Sequence, residues 1–368
     1  MESYIVSARK YRPKNFEEVV GQKHITDTLE NEIRLNKLAQ AFLFTGPRGV
    51  GKTTCARILA KLVNSTSEDD ENKDYSFNIF ELDAASNNSV DDIRMLIDQV
   101  RIPPQTGKYK VYIIDEVHML SSAAFNAFLK TLEEPPKYAI FILATTERHK
   151  ILPTILSRCQ VFNFKRIAIQ EMVVHLQKIA DVEGIEYEID ALHLIAEKAD
   201  GGLRDALSLF DMLVSFGNGK IKYTDAAENL SLLDRDIFFS LVSKFQKKDV
   251  PGSLVTFHKV LEQGFEPHLV LGGLAEHFRN LLISKDPQTI PFLEVSEKHK
   301  KSYFEQSKEC SAAFILNAMQ ICYEFESGIR ASKNPAFYTE LALVKLCHLQ
   351  DVIQLGITLE ELKKKVLN

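Results

Sequence analysis

Residues Gly46-Pro47-Arg48-Gly49-Val50-Gly51-Lys52-Thr53 spell a complete phosphate-binding loop. They stand between an apolar run, Ala41 to Thr45, and an amphipathic stretch, Thr54 to Val63, the strand-loop-helix setting that such a loop requires. Gly46, Gly49 and Gly51 let the backbone turn its amides inward around phosphate oxygens, and the free amides at the start of the following helix add partial positive charge. Lys52 is placed to reach the β- and γ-phosphates, and the Thr53 hydroxyl to ligate magnesium. The chain is therefore expected to bind a nucleoside triphosphate through Gly46 to Thr53, with Thr54 completing the set.

Outward from the loop, the first half of the chain alternates apolar runs with helical patterns. Phe42 to Phe44, Ile79 to Leu82, Val111 to Ile114, Ile140 to Leu143 and Val161 to Phe164 are near-continuously apolar, as strands buried on both faces should be. This predicts an α/β domain, a parallel sheet covered on both sides with its function at the carboxyl ends of the strands, over residues 1–168. Asn64 to Ser76, rich in Ser, Asp, Glu and Asn, breaks the pattern and is expected to be an exposed, mobile loop. From about Ile169 the strand pattern stops. Glu171 to Glu183, Ala191 to Ala199 and Leu203 to Phe216 carry apolar residues at three and four spacing, with turns at Gly184, Gly201-Gly202 and Gly217-Asn218-Gly219. A small helical domain over 169–230 is expected. Longer amphipathic stretches such as Ile237 to Phe245, Ala312 to Ile329 and Tyr338 to Ile353 predict a third, all-helical domain over 231–368.

A second chemical signal is Val111-Tyr112-Ile113-Ile114-Asp115-Glu116, an apolar strand that ends in two carboxylates. Asp115 can hold magnesium, directly or through water, and Glu116 can orient or deprotonate an attacking water. Thr145-Thr146 close the next apolar strand, so in a parallel sheet they emerge at the same edge as Asp115. A hydroxyl there can touch the γ-phosphate or the water, or simply end a strand. Arg158, in Ser157-Arg158-Cys159, is open to two readings: an ordinary surface arginine, or a finger presented to another subunit's nucleotide. Arg204, in Gly201-Gly202-Leu203-Arg204-Asp205, either begins a surface helix or swings onto the phosphates.

A chain of 368 residues that is 45% apolar and 26% charged is long enough for two or three cored domains, so disorder is not the default. The net charge of −5 gives no global basic footprint, so any nucleic-acid contact must come from a local patch or from assembly. Cysteines at 55, 159, 310, 322 and 347 form no CxxC pair, the amino terminus carries no apolar signal segment, and no apolar run approaches bilayer length. These features predict a cytoplasmic protein without membrane insertion or structural zinc.

With these pieces in order, the chain resembles the gamma/tau subunits of bacterial DNA polymerase III, the ATPases of the sliding-clamp loader in the AAA+ superfamily. The resemblance rests on Ala8-Arg9-Lys10-Tyr11-Arg12-Pro13, Phe16 to Gln22, the phosphate loop, Leu82-Asp83-Ala84-Ala85-Ser86, Asp115 to Leu120, Leu129 to Pro136, Ala144-Thr145-Thr146, Leu156 to Cys159 and Leu203 to Leu209. It is dense over residues 1 to about 230 and rests beyond that on length and helical character. The resemblance implies an AAA+ module, a helical lid and a helical collar. It implies ATP and magnesium as ligands, with Ala8, Tyr11, Arg12, Pro13 and Val20 bordering the adenine, and Lys52, Thr53, Asp115 and Glu116 in the roles given above. Thr146 looks like sensor 1, Arg158 like the trans-acting finger and Arg204 like sensor 2, while Arg94 matches a position that faces DNA inside a spiral of subunits. Implied partners are delta, delta prime and further gamma/tau copies in a five-subunit ring, the sliding clamp and primer-template DNA.

Two departures qualify the resemblance. Many relatives carry a four-cysteine zinc module after the phosphate-loop helix, whereas Asn64 to Ser76 holds no cysteine, so no zinc is expected. Near Arg94, positions often basic in relatives are Asn87 and Ser89, which weakens the inference of DNA contact. The chain also stops soon after the collar, as a short gamma-type product would. Two other readings compete with the hydrolysing loader subunit. A non-hydrolysing scaffold subunit of the same ring is disfavoured by the complete Gly51-Lys52-Thr53 and Asp115-Glu116. A different AAA+ motor, such as a helicase loader or branch-migration motor, is disfavoured by Asp83 to Ser86 and Ser157 to Cys159. No polymerase-type set of metal-binding acids appears, and nucleotide polymerisation is not expected.

Overall fold

The computed structural model describes residues 5–65, 77–105, 107–230, 233–293, 295–329 and 331–367, with backbone alone at 297 and 356–367. The chain falls into two compact units, Met1–Ile221 and Lys222–Asn368.

The first unit is built on five parallel strands, β1 (Ala41–Thr45), β2 (Ile79–Asp83), β3 (Lys110–Asp115), β4 (Ala139–Thr145) and β5 (Gln160–Asn163), in the order β2-β3-β4-β1-β5. Side chains alternate between the two faces of each strand. Phe42, Phe44, Ile113 and Ile142 therefore join one core beneath α2 (Lys23–Arg34) and α3 (Lys52–Leu62). Leu43, Tyr112, Ile114 and Phe141 join the other, under α4 (Val90–Val100), α5 (Ser122–Glu133) and α6 (Pro153–Leu156). A short α1 (Ser7–Lys10) precedes them. The register pairs Thr45 with Thr145 and Asp83 with Asp115, so the loops after β1, β3 and β4 open at one edge of the sheet.

Burial on both faces holds for β1 and β4 and fails for two of the expected strands. β2 and β5 are the outer strands of the sheet: β2 holds only half-buried and exposed residues, and in β5 Phe162 alone is buried, with Gln160 and Val161 half-buried and Asn163 exposed. Glu81, on the edge strand β2, spends its charge on a two-pronged pair with Arg57 of α3, at 2.5 and 2.7 Å.

Beyond the sheet come α7 (Ile169–Glu183), α8 (Ile189–Lys198) and α9 (Leu203–Phe216), packed through Leu176, Ile179, Leu192, Ile195, Phe210 and Leu213. This region is not wholly helical. Glu186–Tyr187 (β6) and Lys220–Ile221 (β7) form a parallel pair, two residues each and too short to leave a periodic signal. The expected loop at 64–76 lies, from residue 66 onward, outside the described residues.

The second unit is all helix: α10 (Tyr223–Asn229), α11 (Arg235–Gln246), α12 (Val250–Glu262), α13 (Pro267–Ile283), α14 (Glu297–Glu309), α15 (Ala312–Ile329) and α16 (Pro335–Leu367). Its core gathers Leu241, Phe245, Phe257, Phe278, Phe314, Cys322 and Leu346. Among the described residues no helix is long and apolar enough to cross a membrane.

Candidate nucleotide-binding site

The loop between β1 and α3 is shaped by glycine at two points. Gly46 has a φ of 145°, and a Cβ there would stand 2.4 Å from the Phe164 carbonyl oxygen. Gly51, at φ 101°, is the N-cap of α3 and offers no side-chain cap. A Cβ on Gly51 would meet nothing within 4 Å, and Gly51, Lys52, Thr53 and Thr54 all line one cleft, so the start of the helix, without a side-chain cap, borders open space. This is the arrangement that receives an anion.

Lys52 lies inside that loop, only 7% exposed. Its Nζ donates to the carbonyls of Gly46 and Pro47 at 2.8 and 2.7 Å. Burial pushes the ammonium pKa down, while the Glu116 and Asp115 carboxylates pull it back up. The Thr53 hydroxyl donates to Asp115 Oδ2 at 2.6 Å, and the Glu116 amide donates to Asp115 Oδ1 at 2.9 Å. A hydroxyl and a carboxylate so joined are hard oxygen donors of the kind magnesium takes from protein, the rest of its shell coming from water and phosphate. The residues present fit that ion.

Glu116 itself adopts φ 47°, a left-handed conformation uncommon outside glycine and concentrated at functional sites. Its Oε2 accepts from the Thr146 amide at 3.3 Å and the Thr146 hydroxyl at 3.0 Å, so the ends of β3 and β4 are tied through this carboxylate. Thr145 is fully buried behind it.

Ala8, Tyr11, Arg12, Pro13 and Val20 line one cleft together with Arg48 to Thr54, Asp115, Glu116 and Arg204. Arg204 arrives from α9, whose start is docked on the loop through Arg204 N donating to Gly49 O at 3.3 Å. Gly46 and Pro47 close the back of the loop through Lys52, and Thr146 reaches the cleft through Glu116. Two expected residues stand elsewhere. Arg158 does not line the cleft; its guanidinium donates to Thr154 O at 2.6 Å and to Glu133 Oε1 at 2.7 Å. Arg94 is exposed on α4 beside Asp91, at 3.3 Å.

Sequence reasoning missed the apolar walls Val19, Ile167, Leu203 and Leu207. Leu203 and Leu207 are one helical turn apart on α9, so the period of that helix carried a signal; Val19 and Ile167 are single apolar residues that carried none. It also missed the straps on the segment carrying Ala8 and Tyr11. Ser7 N donates to Asp211 Oδ2 at 2.7 Å, and Lys10 Nζ at 2.5 Å and the Tyr11 hydroxyl both donate to Glu183. Asp211 and Glu183 sit on α9 and α7, so the segment is fastened to both helices. Among the described residues no group of three or more His, Cys, Asp or Glu could hold a metal ion by itself, and all five cysteines are unbridged.

Residues 21–168 match the family model described as DNA polymerase III, delta subunit; 171–219 match the DNA polymerase III clamp loader subunit ATPase lid domain; and 221–362 match DNA polymerase III subunits gamma and tau domain III. The chain is 36% identical over 336 residues to DNA polymerase III subunit gamma of Buchnera aphidicola subsp. Baizongia pistaciae, covering 88% of this chain and 90% of that one. The chain belongs to the DNA polymerase III gamma/tau family. It is also 43% identical over 361 residues to DNA polymerase III subunit tau of Bacillus subtilis, covering 94% of this chain. Against subunit tau of Escherichia coli it is 41% identical over 278 residues, covering 72% of this chain. It spans 63% and 43% of the length of those two tau subunits. The first unit of this gamma/tau chain holds the stretches that the delta-subunit and ATPase-lid models match, and the second is the helical unit that the family model of domain III matches.

Proposed function

We propose that this chain is an ATP-binding and ATP-hydrolysing subunit of a DNA polymerase III clamp loader, driving a sliding clamp onto primed DNA in the cytoplasm. The observation that carries the reading is the convergence, in one cleft, of Lys52, the Thr53–Asp115 pair, Glu116 held by Thr146, and Arg204 from α9. In this reading Lys52 and the amides at the start of α3 bind the phosphates, and Tyr11, Arg12, Pro13, Ala8 and Val20 border the adenine. Thr53 and Asp115 hold magnesium, which when bound neutralises phosphate charge and orients the reacting group. Glu116 takes the proton of the attacking water, Thr146 senses the γ-phosphate through its contact with Glu116, and Arg204 closes on the phosphates from the lid. Arg158 acts on a neighbour's nucleotide. We further propose the division into an AAA+ domain (1–168), a lid (169–230) and a collar (231–368), partners of delta, delta prime and further gamma/tau type in a five-subunit ring, and Arg94 as a DNA contact. A scaffold subunit that does not hydrolyse would need neither a buried Lys52 nor a carboxylate parked beside the cleft.

Two substitutions test the roles because they fail in different ways. Lys52→Ala should abolish ATP binding, since the phosphates lose their main cation. Glu116→Gln should keep ATP binding and lose turnover by a factor of about 10²–10⁴. Equal loss of nucleotide affinity in both, measured by equilibrium binding, contradicts the assignment.

A further inference from the structure

Beside Glu116 lies an imidazole with no part in the reading above. His118 stands in the single turn Val117–Met119 that follows β3, and its side chain is 6% exposed. Its Nδ1 is 3.0 Å from Thr145 Oγ1 and 3.4 Å from Glu116 Oε2, and its Nε2 is 3.2 Å from Glu147 Oε1. The Thr145 hydroxyl already accepts the Glu147 amide at 3.0 Å, so its own proton is available to Nδ1. That leaves Nε2–H to donate to Glu147. Glu147 is a charged acceptor: the Lys150 ammonium, at 2.9 Å, holds its carboxyl below the usual range. The ring is thus fixed at both nitrogens by groups at the end of β4, and its edge forms a wall against Glu116.

A glutamate side chain has three free rotors, and few of its positions put an oxygen where a water can be deprotonated. The contacts of Glu116 with Thr146 and His118 all fall on one oxygen, Oε2, while the same residue lines the phosphate cleft. We propose that His118 is a positioning residue for hydrolysis: clamped by Thr145 and Glu147, it confines the Glu116 carboxylate between Thr146 and the cleft. This rests on the reading of Glu116 as the water-activating carboxylate. Loss of the wall leaves ATP binding intact and lets the carboxylate wander, and misplacement of a catalytic group by about 1 Å can cost on the order of 10²-fold in rate.

The experiment compares His118→Ala and His118→Gln, each in the full chain with its partner subunits and primed DNA and each with Glu116 intact or as Glu116→Gln. ATP affinity is measured by equilibrium binding, hydrolysis in single turnovers, and the His118 ring by its 15N shifts. His118→Ala should lower kcat at least about tenfold and change ATP affinity by less than about twofold. His118→Gln, whose amide can still accept from Thr145 and donate to Glu147, should recover most of that loss. In the Glu116→Gln background His118→Ala should cost nothing further, because the group it positions is gone. The 15N shifts should show the proton on Nε2 and should move in Glu147→Gln. A His118→Ala chain with near-parental kcat, an equal loss of ATP affinity and kcat, or a further loss in the Glu116→Gln background each overturns the proposal. If instead Glu116→Gln hydrolyses as fast as the parent, the failure belongs to the reading of Glu116 and takes this inference with it.

Discussion

His277, on α13 of the helical unit, is kept uncharged by its surroundings. It is almost completely buried, its Nε2 donates to Gln306 Oε1 at 2.9 Å, and the rings of Phe239 and Tyr303 lie with centroids 4.6 and 4.9 Å away. Burial, aided by the charge of Arg235, pulls its pKa down to about 4, against which the Gln306 hydrogen bond is a smaller opposing influence. The unfolded chain takes up this proton as pH falls through the ordinary histidine value, whereas the folded chain refuses it until about 4. Stability is therefore full above the ordinary value and lost as pH falls between the two. Lowering pH from about 7 to about 4.5 should remove roughly 2–3 kcal/mol through this group. His277→Gln, which keeps a polar partner for Gln306 and cannot titrate, should flatten that part of the profile. Urea unfolding of the second unit across this range checks it, and an unchanged slope in the variant means that other groups carry the acid sensitivity. Histidines at 118 and 277 went unassigned in the sequence for the same reason: a lone imidazole has no partner at a fixed spacing. Lys52, Thr53, Asp115 and Glu116 were legible because the backbone turn or strand end that each needs is itself written in neighbouring glycines and apolar residues.

At the scale of elements, helix α4 shows how a local signal sets a boundary. The Ser89 hydroxyl accepts from Asp92 N at 3.2 Å, and Asp92 Oδ2 accepts from Ser89 N at 3.1 Å, a reciprocal capping box. Asp91 and Asp92 also put negative charge at the positive end of the helix dipole. Ser89 thus starts the helix that carries Arg94. Ser89→Ala should destabilise α4 by about 1 kcal/mol. Amide exchange in its first turn should speed up accordingly while β3 and β4 stay protected; unchanged exchange at 91–93 would show that packing of Ile93 and Leu96 alone holds the turn. Strand existence and order of appearance were legible from apolar runs, but strand neighbours were not. The charge of Glu81 is the one trace in Ile79 to Leu82 of an outer position, and it does not say which strand pairs with it across the sheet. The β6–β7 pair fell below the length at which alternation can be counted, and within the expected helical domain α12 to α14 were not singled out, since Pro251, Gly252, Gly272 and Gly273 interrupt the first two and α14 is rich in Lys.

For the whole molecule, the open question is how one chain's chemistry depends on another's. Arg158 is about one-third exposed and is tied down by Glu133 and Thr154, away from its own chain's cleft. A cation that stabilises charge on a phosphate must touch it, so if Arg158 serves hydrolysis it serves a nucleotide on a neighbour, after exchanging Glu133 for phosphate oxygens. Arg204, which lines the cleft of the chain that carries it, should act within that chain. Arg158→Ala chains should then bind ATP with near-parental affinity and yet suppress hydrolysis at the adjacent subunit, because the lost charge matters only in the transition state. Arg204→Ala should damage the site of its own chain. Mixing separates the two. Rings combining Arg158→Ala with Glu116→Gln chains contain some interfaces where an intact Glu116 meets an intact Arg158 from the neighbour, so turnover should exceed that of either variant alone. Rings combining Arg204→Ala with Glu116→Gln have no such interface, since every chain then carries a defect in its own site, and should stay inactive. Native mass spectrometry establishes that the mixed rings form. If they form and the Arg158→Ala mixture remains as inactive as its parents, Arg158 is a within-chain residue, and its pairing with Glu133 is simply part of the fold around α5 and α6.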